Sequence, residues 1–370
     1  MSSSSSSQEQ DHHHLYHYTP TAAPPPTPSS HSNPNSTSAP NIDTLSQLLH
    51  RLPSSLSLSL PKRRPSPLST TISPTISLAD PSLDFSRAFE LGFFQLTGHN
   101  IPSPLANLAH SDSLSLFHLS REEKLRHFPQ NWPLGHNDDD DDDEDADKES
   151  ETFCFDSSCY GELDELKLTS LREFTQEMEK VGLEIIESLS GAVGFENPAR
   201  DDPTRICSLM WVSEELPGNQ QVMSGKMYPY VIGLQYQLRA KKSTMLSDSG
   251  WVSVPTQVES VLVTLGDIAQ VWSNGKLKKV RGRPIPSSEN GNNSAKCISM
   301  TLLLTLPLDS TVSTLIPGSI ESGNDEGVGD GNENLPKNKR LFNSFSFEDY
   351  AWRMYHEQNV VKDPLERYRA

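Results

Sequence analysis

Apolar positions recur along this chain with two different periods. Between Ser170 and Leu189, the side chains of Leu171, Phe174, Met178, Val181, Ile185 and Leu189 fall on one stripe at helical spacing, with Ser170 and Glu173 placed as a capping box. That pattern predicts an amphipathic helix lying along a sheet core. Farther on the period shortens. Apolar segments at Ile206–Val212, Val231–Leu238, Trp251–Val254, Val261–Leu265, Leu277–Val280 and Ile298–Leu306 are separated by turn residues, which predicts the strands of an antiparallel sandwich or jelly roll. The pair Val261–Leu265 and Leu277–Val280, about Ser273-Asn274-Gly275, is expected to form a hairpin within that sheet. Upstream, Thr75–Leu78 predicts a short strand. Asp80-Pro81 predicts the start of a helix carrying Leu83, Phe85, Ala88, Phe89 and Leu91, and Ser346–Gln358 a closing helix.

Composition alters this picture at the ends and in two insertions. Residues 1–70 are a Ser/Pro/Thr/His-rich leader, expected to be disordered because it cannot bury enough apolar surface to offset the entropy of ordering it; a short amphipathic helix at Ile42–Leu52 is the exception. The expected organisation is this leader, a helical region at 74–200, a jelly-roll domain at 204–317, a flexible loop at 318–339 and a C-terminal helix and tail at 340–370. Within the helical region, residues 138–147 hold nine acids in ten positions, a solvated insertion without the glycine and side-chain spacing of a calcium loop. The formal charge is −18, and the first 75 residues contribute none of it, with three acids against four bases. So acidic a body makes nucleic acid an unexpected partner. No apolar run reaches the ~18 residues that would span a bilayer, so no membrane is expected either. Four cysteines in 370 residues, without paired C-x-x-C spacing, point to a reducing compartment. The expected location is the cytoplasm, with the nucleus also open. A chloroplast transit peptide is the alternative reading of the leader.

Several segments resemble the plant 2-oxoglutarate and Fe(II)-dependent dioxygenases, the isopenicillin N synthase-like and gibberellin oxidase-like superfamily. The stretch from Val261 through Leu265-Gly266-Asp267 and Ser273-Asn274-Gly275 to Val280-Arg281-Gly282-Arg283 is similar to the segment that carries the family's second iron-binding histidine. Gly92-Phe93-Phe94-Gln95 with His99-Asn100-Ile101-Pro102, Leu116-Phe117 with Glu122-Glu123-Lys124, and Phe347-Glu348-Asp349-Tyr350 are similar to its structural elements. The likeness spans about residues 74–368. It implies a mixed α/β (α+β) fold, a double-stranded β-helix (jelly roll) core with flanking N-terminal and C-terminal helices.

The resemblance also implies where the chemistry should be, and there the chain departs from it. Such enzymes hold iron by two imidazoles and a carboxylate on one face of the metal. The His-x-Asp position is best matched by Tyr228-Pro229-Tyr230, and the second histidine by Gly282. No histidine lies between His136 and His356, so the jelly roll itself supplies no imidazole. Where the family has Arg-x-Ser for the oxoglutarate carboxylate, this chain has Cys297-Ile298-Ser299, with Lys296 out of phase by one residue. Arg281 and Arg283 form a candidate anion pocket beside Gly282. The expectation is a dioxygenase-like protein that has lost metal-dependent catalysis, with no catalytic residue, no bound metal and no cofactor. It would act as a binding or regulatory protein for an unknown small molecule or protein. The alternative is an active oxygenase that hydroxylates a hormone or specialised metabolite such as a gibberellin or flavonoid, using non-standard iron ligands.

Overall fold

In a computed structural model of the chain, the residues described are 69–80, 83–137, 151–156, 166–214, 227–287, 298–317, 339–357 and 363–370. The leader up to residue 68, the acidic run, Lys296, Cys297 and most of the 318–339 loop lie outside them, while Ser69–Thr70, expected to be part of the disordered leader, form a strand. The strands are β1 (Ser69–Thr70), β2 (Thr75–Ser77), β3 (Phe93–Thr97), β4 (Gly135–Asn137), β5 (Thr152–Asp156), β6 (Cys207–Glu214), β7 (Ile232–Tyr236), β8 (Lys242–Ser247), β9 (Gly250–Pro255), β10 (Val261–Leu265), β11 (Val280–Ser287), β12 (Ile298–Thr305), β13 (Thr311–Val312) and β14 (Phe345–Ser346). The helices are α1 (Ser86–Leu91), α2 (Ser103–Phe117), α3 (Arg121–His127), α4 (Thr169–Val193), α5 (Asp267–Trp272) and α6 (Phe347–Glu357). A large sheet runs β2-β3-β10-β7-β12-β6-β5-β4, and a small one runs β1-β9-β8-β11. Their facing surfaces make the jelly roll. The large sheet draws strands from both the expected helical region and the expected jelly-roll domain.

The two faces of the large sheet differ in chemistry because successive side chains of a strand point to opposite sides. One face carries Met210, Val212, Leu234, Val261, Val263, Leu302 and Leu304, all buried. It packs against α4, whose Leu171, Phe174, Met178, Val181, Ile185 and Leu189 are buried as the periodicity predicts. Each such side chain contributes about 1.5–3 kcal/mol of transfer free energy. The helix lies close because Gly182 has no side chain: a Cβ there would sit 2.5 Å from Leu304 Cδ1. The other face reads across the sheet, in register, as Cys154, Trp211, Thr301, Gln235, Leu262 and Gln95. Half of that row is polar. Its amides stitch the sheets together: Gln235 Nε2 donates to the Pro284 carbonyl at 3.3 Å, and Gln95 Nε2 to the Pro255 carbonyl at 3.1 Å.

Three local expectations need correction. Val261–Leu265 and the strand starting at Val280 are not a hairpin, because β10 pairs with β3 and β7, whereas β11 pairs with β8 in the other sheet. The connection is far longer than the about two to five residues of a hairpin loop, and it holds helix α5, buried on every side. The helix expected from Asp80-Pro81 starts only at Ser86, whose amide donates to Asp84 Oδ1 at 2.9 Å; Pro81 itself lies outside the described residues. Ser170 does not cap α4. The helix already runs at Thr169, and Asp112 of α2 accepts the Leu171 amide at 3.1 Å, so the cap comes from another helix.

Candidate functional site

Tyr230 and Gly282, 52 positions apart, do meet in space. The Tyr230 hydroxyl lies 2.8 Å from the Gly282 carbonyl, 3.1 Å from the Val280 carbonyl and 3.2 Å from Thr264 Oγ1. A tyrosine has one hydrogen to give, so the Gly282 carbonyl takes the best of it while the Thr264 hydroxyl can donate in return. Tyr230 is buried, and burial pushes its ionisation well above the ordinary tyrosine range. Tyr228 is raised in the same way, but it goes elsewhere, packing 6.1 Å from Trp132 and 6.0 Å from Phe347 between ring centroids. The two tyrosines precede β7 rather than belong to it, so strand alternation does not bring them to one point.

Gly282 has φ +68, a left-handed conformation that side-chain-bearing residues rarely adopt. It sits in an irregularity of β11, where pairing with β8 shifts register between Arg281 and Ile285. The bulge gives the two neighbouring arginines different surroundings. Arg281 Nη2 lies 3.9 Å from Asp363 Oδ2, at the C-terminal tail. Arg283 turns into the jelly roll, its Cζ 3.9 Å above the ring of Trp211. Arg281 and Arg283 therefore do not share one anion pocket.

Arg283 makes no hydrogen bond or ion pair among the described residues, and its Nη1 is enclosed without a partner. The titratable groups that act on it are Cys154, Tyr230 and Tyr355, none of them a carboxylate. Burial draws the guanidinium down to about 10, still charged at neutral pH. The residue as a whole is only half-buried, so part of it borders a space that water can enter. Two further enclosed donors lack partners, Nε1 of Trp211 and Nε1 of Trp132. Trp132 stands 6.1 Å from the ring of Tyr355, one of the groups that act electrostatically on Arg283. Sequence reasoning named Arg283 but not Trp211, Trp132 or Tyr355. Trp211 was legible as a large aromatic on β6, though nothing in the sequence put it under an arginine.

Ser299 faces Ser213 across the sheet and lines a cleft of about 30 Å³ with Gln237, Arg239 and Lys241. His99 is committed to structure: its Nε2 pairs with the Glu259 carbonyl at 2.9 Å, and its Nδ1 accepts the Ile101 amide at 3.1 Å. Lys279 is fully enclosed between Asp267 Oδ1 at 2.5 Å and Asp363 Oδ1 at 2.6 Å. Burial works to raise Asp363, but the Lys279 charge and hydrogen bond, the Leu365 amide and Arg281 outweigh it and hold the carboxyl below the usual range. That triad fastens the C-terminal tail to the start of β11.

The sequence pattern of the 2OG-Fe(II) oxygenase superfamily matches residues 222–302. Gibberellin 2-beta-dioxygenase 2 of Arabidopsis thaliana is 24% identical over 261 residues, 64% of this chain and 76% of that protein. The 1-aminocyclopropane-1-carboxylate oxidase 3 of Cucumis melo is 25% identical over 220 residues, 54% of this chain and 66% of that protein. Among solved structures, JOX2 in complex with 2OG, Fe and JA superposes with a TM-score of 0.64 at 18% identity, over 88% of this chain and 97% of that one. The dioxygenase for auxin oxidation in rice gives 0.58 at 18% identity, over 80% and 100%. By fold and by the matched segment, the chain is similar to the oxygenases of the 2OG-Fe(II) superfamily.

This finding overturns the expectation of no cofactor. The superfamily is one of Fe(II) and 2-oxoglutarate, and a neighbour of the same fold holds both, so these are the cofactors against which the chain has to be tested. The residues at the three matched positions do not themselves form an iron site. Tyr230 is engaged with backbone carbonyls, Tyr228 is packed among rings, Gly282 offers no side chain, and the Arg283 guanidinium opposes a second cation beside Tyr230. Among the described residues, no group of three or more His, Cys, Asp or Glu could hold a metal ion.

Proposed function

We propose that this oxygenase-like protein acts by binding, in a regulatory or carrier role, rather than by oxidising a substrate. The observation that carries the reading is the Tyr230–Gly282 hydrogen bond: the two positions where the superfamily places ligands are joined to each other inside the jelly roll. A buried neutral phenol is a poor ligand for Fe(II), and the left-handed backbone at Gly282 disfavours any side chain that could replace the missing one. The scaffold around it remains closely packed, as a binding protein requires.

The test is succinate formation from 2-oxoglutarate in air, with Fe(II) and ascorbate supplied and a panel of gibberellin and flavonoid substrates. The expected result is no succinate above the protein-free control. Succinate coupled to loss of one of these substrates would establish the oxygenase reading instead.

A further inference from the structure

The tail, Asp363–Ala370, is held at its two ends by contacts of different kinds. Its far end is stitched to the chain before α6: the Asn343 amide donates to the Tyr368 carbonyl at 2.7 Å, the Ala370 amide to the Leu341 carbonyl at 3.0 Å, and the Tyr368 ring lies 4.2 Å from that of Phe345. Its near end reaches β11 through Asp363. There Oδ1 accepts from Lys279 Nζ at 2.6 Å, Oδ2 lies 3.9 Å from Arg281 Nη2, and the Leu365 amide donates to Oδ1 at 3.0 Å, which holds the carboxylate in place. Lys279 and Arg281 flank Val280, so one carboxylate holds the chain on both sides of the residue that opens β11.

That hold is placed where it can act on the interior. The residue after Arg281 is the left-handed Gly282, where the register of β11 shifts, and the Tyr230 hydroxyl sits on the Val280 and Gly282 carbonyls. The next residue, Arg283, lies over Trp211. The hold is also of a kind that can let go. Lys279 Nζ has a second carboxylate, Asp267 Oδ1 at 2.5 Å, carried by α5 and not by the tail. Release of Asp363 therefore gives up charge-assisted contacts without stranding a buried cation, which would cost far more. We propose that the tail is a releasable strap on the jelly roll. Docked through Asp363, it fixes the bulge of β11 and the Tyr230–Gly282 contact; released, it frees Val280–Arg283 to rearrange, so the tail and this part of the interior open as one unit. The strap concerns regulation of the site and does not depend on whether the site binds or oxidises its ligand.

The experiment is native-state hydrogen exchange of the full chain, read by mass spectrometry on peptides covering 278–286, 363–370 and, as reference, α4. Segments that open as one unit share one dependence on denaturant. In wild-type protein under sub-denaturing urea, the tail and 278–286 are expected to follow a single opening curve that lies below that of α4. This series needs no variant. Asp363→Asn should then speed exchange in both segments roughly 10-fold or more, the loss of a charge-assisted contact, and leave α4 unchanged. Glu366→Gln, which removes only an exposed contact with Arg369, should change neither segment. The strap is refuted if the two wild-type segments open with different urea dependence, or if Asp363→Asn loosens the tail and not 278–286. It is also refuted if Asp363→Asn speeds neither segment, or speeds α4 equally, since that is a loss of global stability and not a local release.

Discussion

Lys279 and Arg283 stand on either side of the same short stretch of chain, and both bring positive charge into the protein. Lys279 is enclosed by two carboxylates at hydrogen-bond distance, whereas Arg283 lies over a tryptophan face and the titratable groups acting on it are a thiol and two phenols. A buried cation with its counter-ions in place is part of the framework. Arg283 has no counter-ion among the described residues, so there its interaction is incomplete. Substitution should therefore act in opposite directions, with Arg283→Met raising stability and Lys279→Met lowering it.

The largest effect is expected at Lys279. Lys279→Met leaves Asp267, only 1% exposed, without its partner, and stability in urea should drop by about 3–5 kcal/mol. A loss under about 1 kcal/mol would mean that the triad is not the structural member of the comparison. Next is Gly282→His, which forces a β-carbon into a left-handed conformation beside the Tyr230 hydroxyl and should cost about 1–3 kcal/mol. If its melting temperature matched that of the wild type, the backbone at the bulge would have to be free to relax. Tyr230→Phe removes the hydrogen bond to the Gly282 carbonyl and should cost about 1 kcal/mol.

The smallest effect concerns pH. Asp363 has a depressed folded-state pKa, so its stabilisation is complete above the unfolded carboxylate value and is lost as pH falls through the lower folded value. Melting temperature should therefore decline on acidification below about pH 4. Asp363→Asn should flatten that decline, and an unchanged slope would remove Asp363 from the triad's energetics.

Much of the framework was legible without coordinates. The stripe of α4 and the apolar segments of β6, β7, β10 and β12 could be read because burial against a helix or a neighbouring strand selects side chains at a fixed period. The interval from Tyr230 to Gly282 also pointed correctly to two positions that meet. The partition into sheets was not legible, because β10 and β11 each have a strand's composition and nothing local says which sheet completes them. The short strands β4, β5 and β8 were missed for a related reason: their pairing partners lie far along the chain.

By itself, then, the sequence determined the class of fold, the helix that backs the large sheet and the absence of any histidine between His136 and His356, since these depend on residue type and spacing. Only the tertiary structure decided that Arg281 and Arg283 part company. Two alternate residues of a regular strand share a face, but the left-handed Gly282 and the register shift break that rule and turn one charge toward Asp363 and the other over Trp211. Whether a buried charge is satisfied depends on what stands within a few ångströms of it. Those neighbours come from β6, from the segment before β7 and from α6, brought together only when the two sheets close.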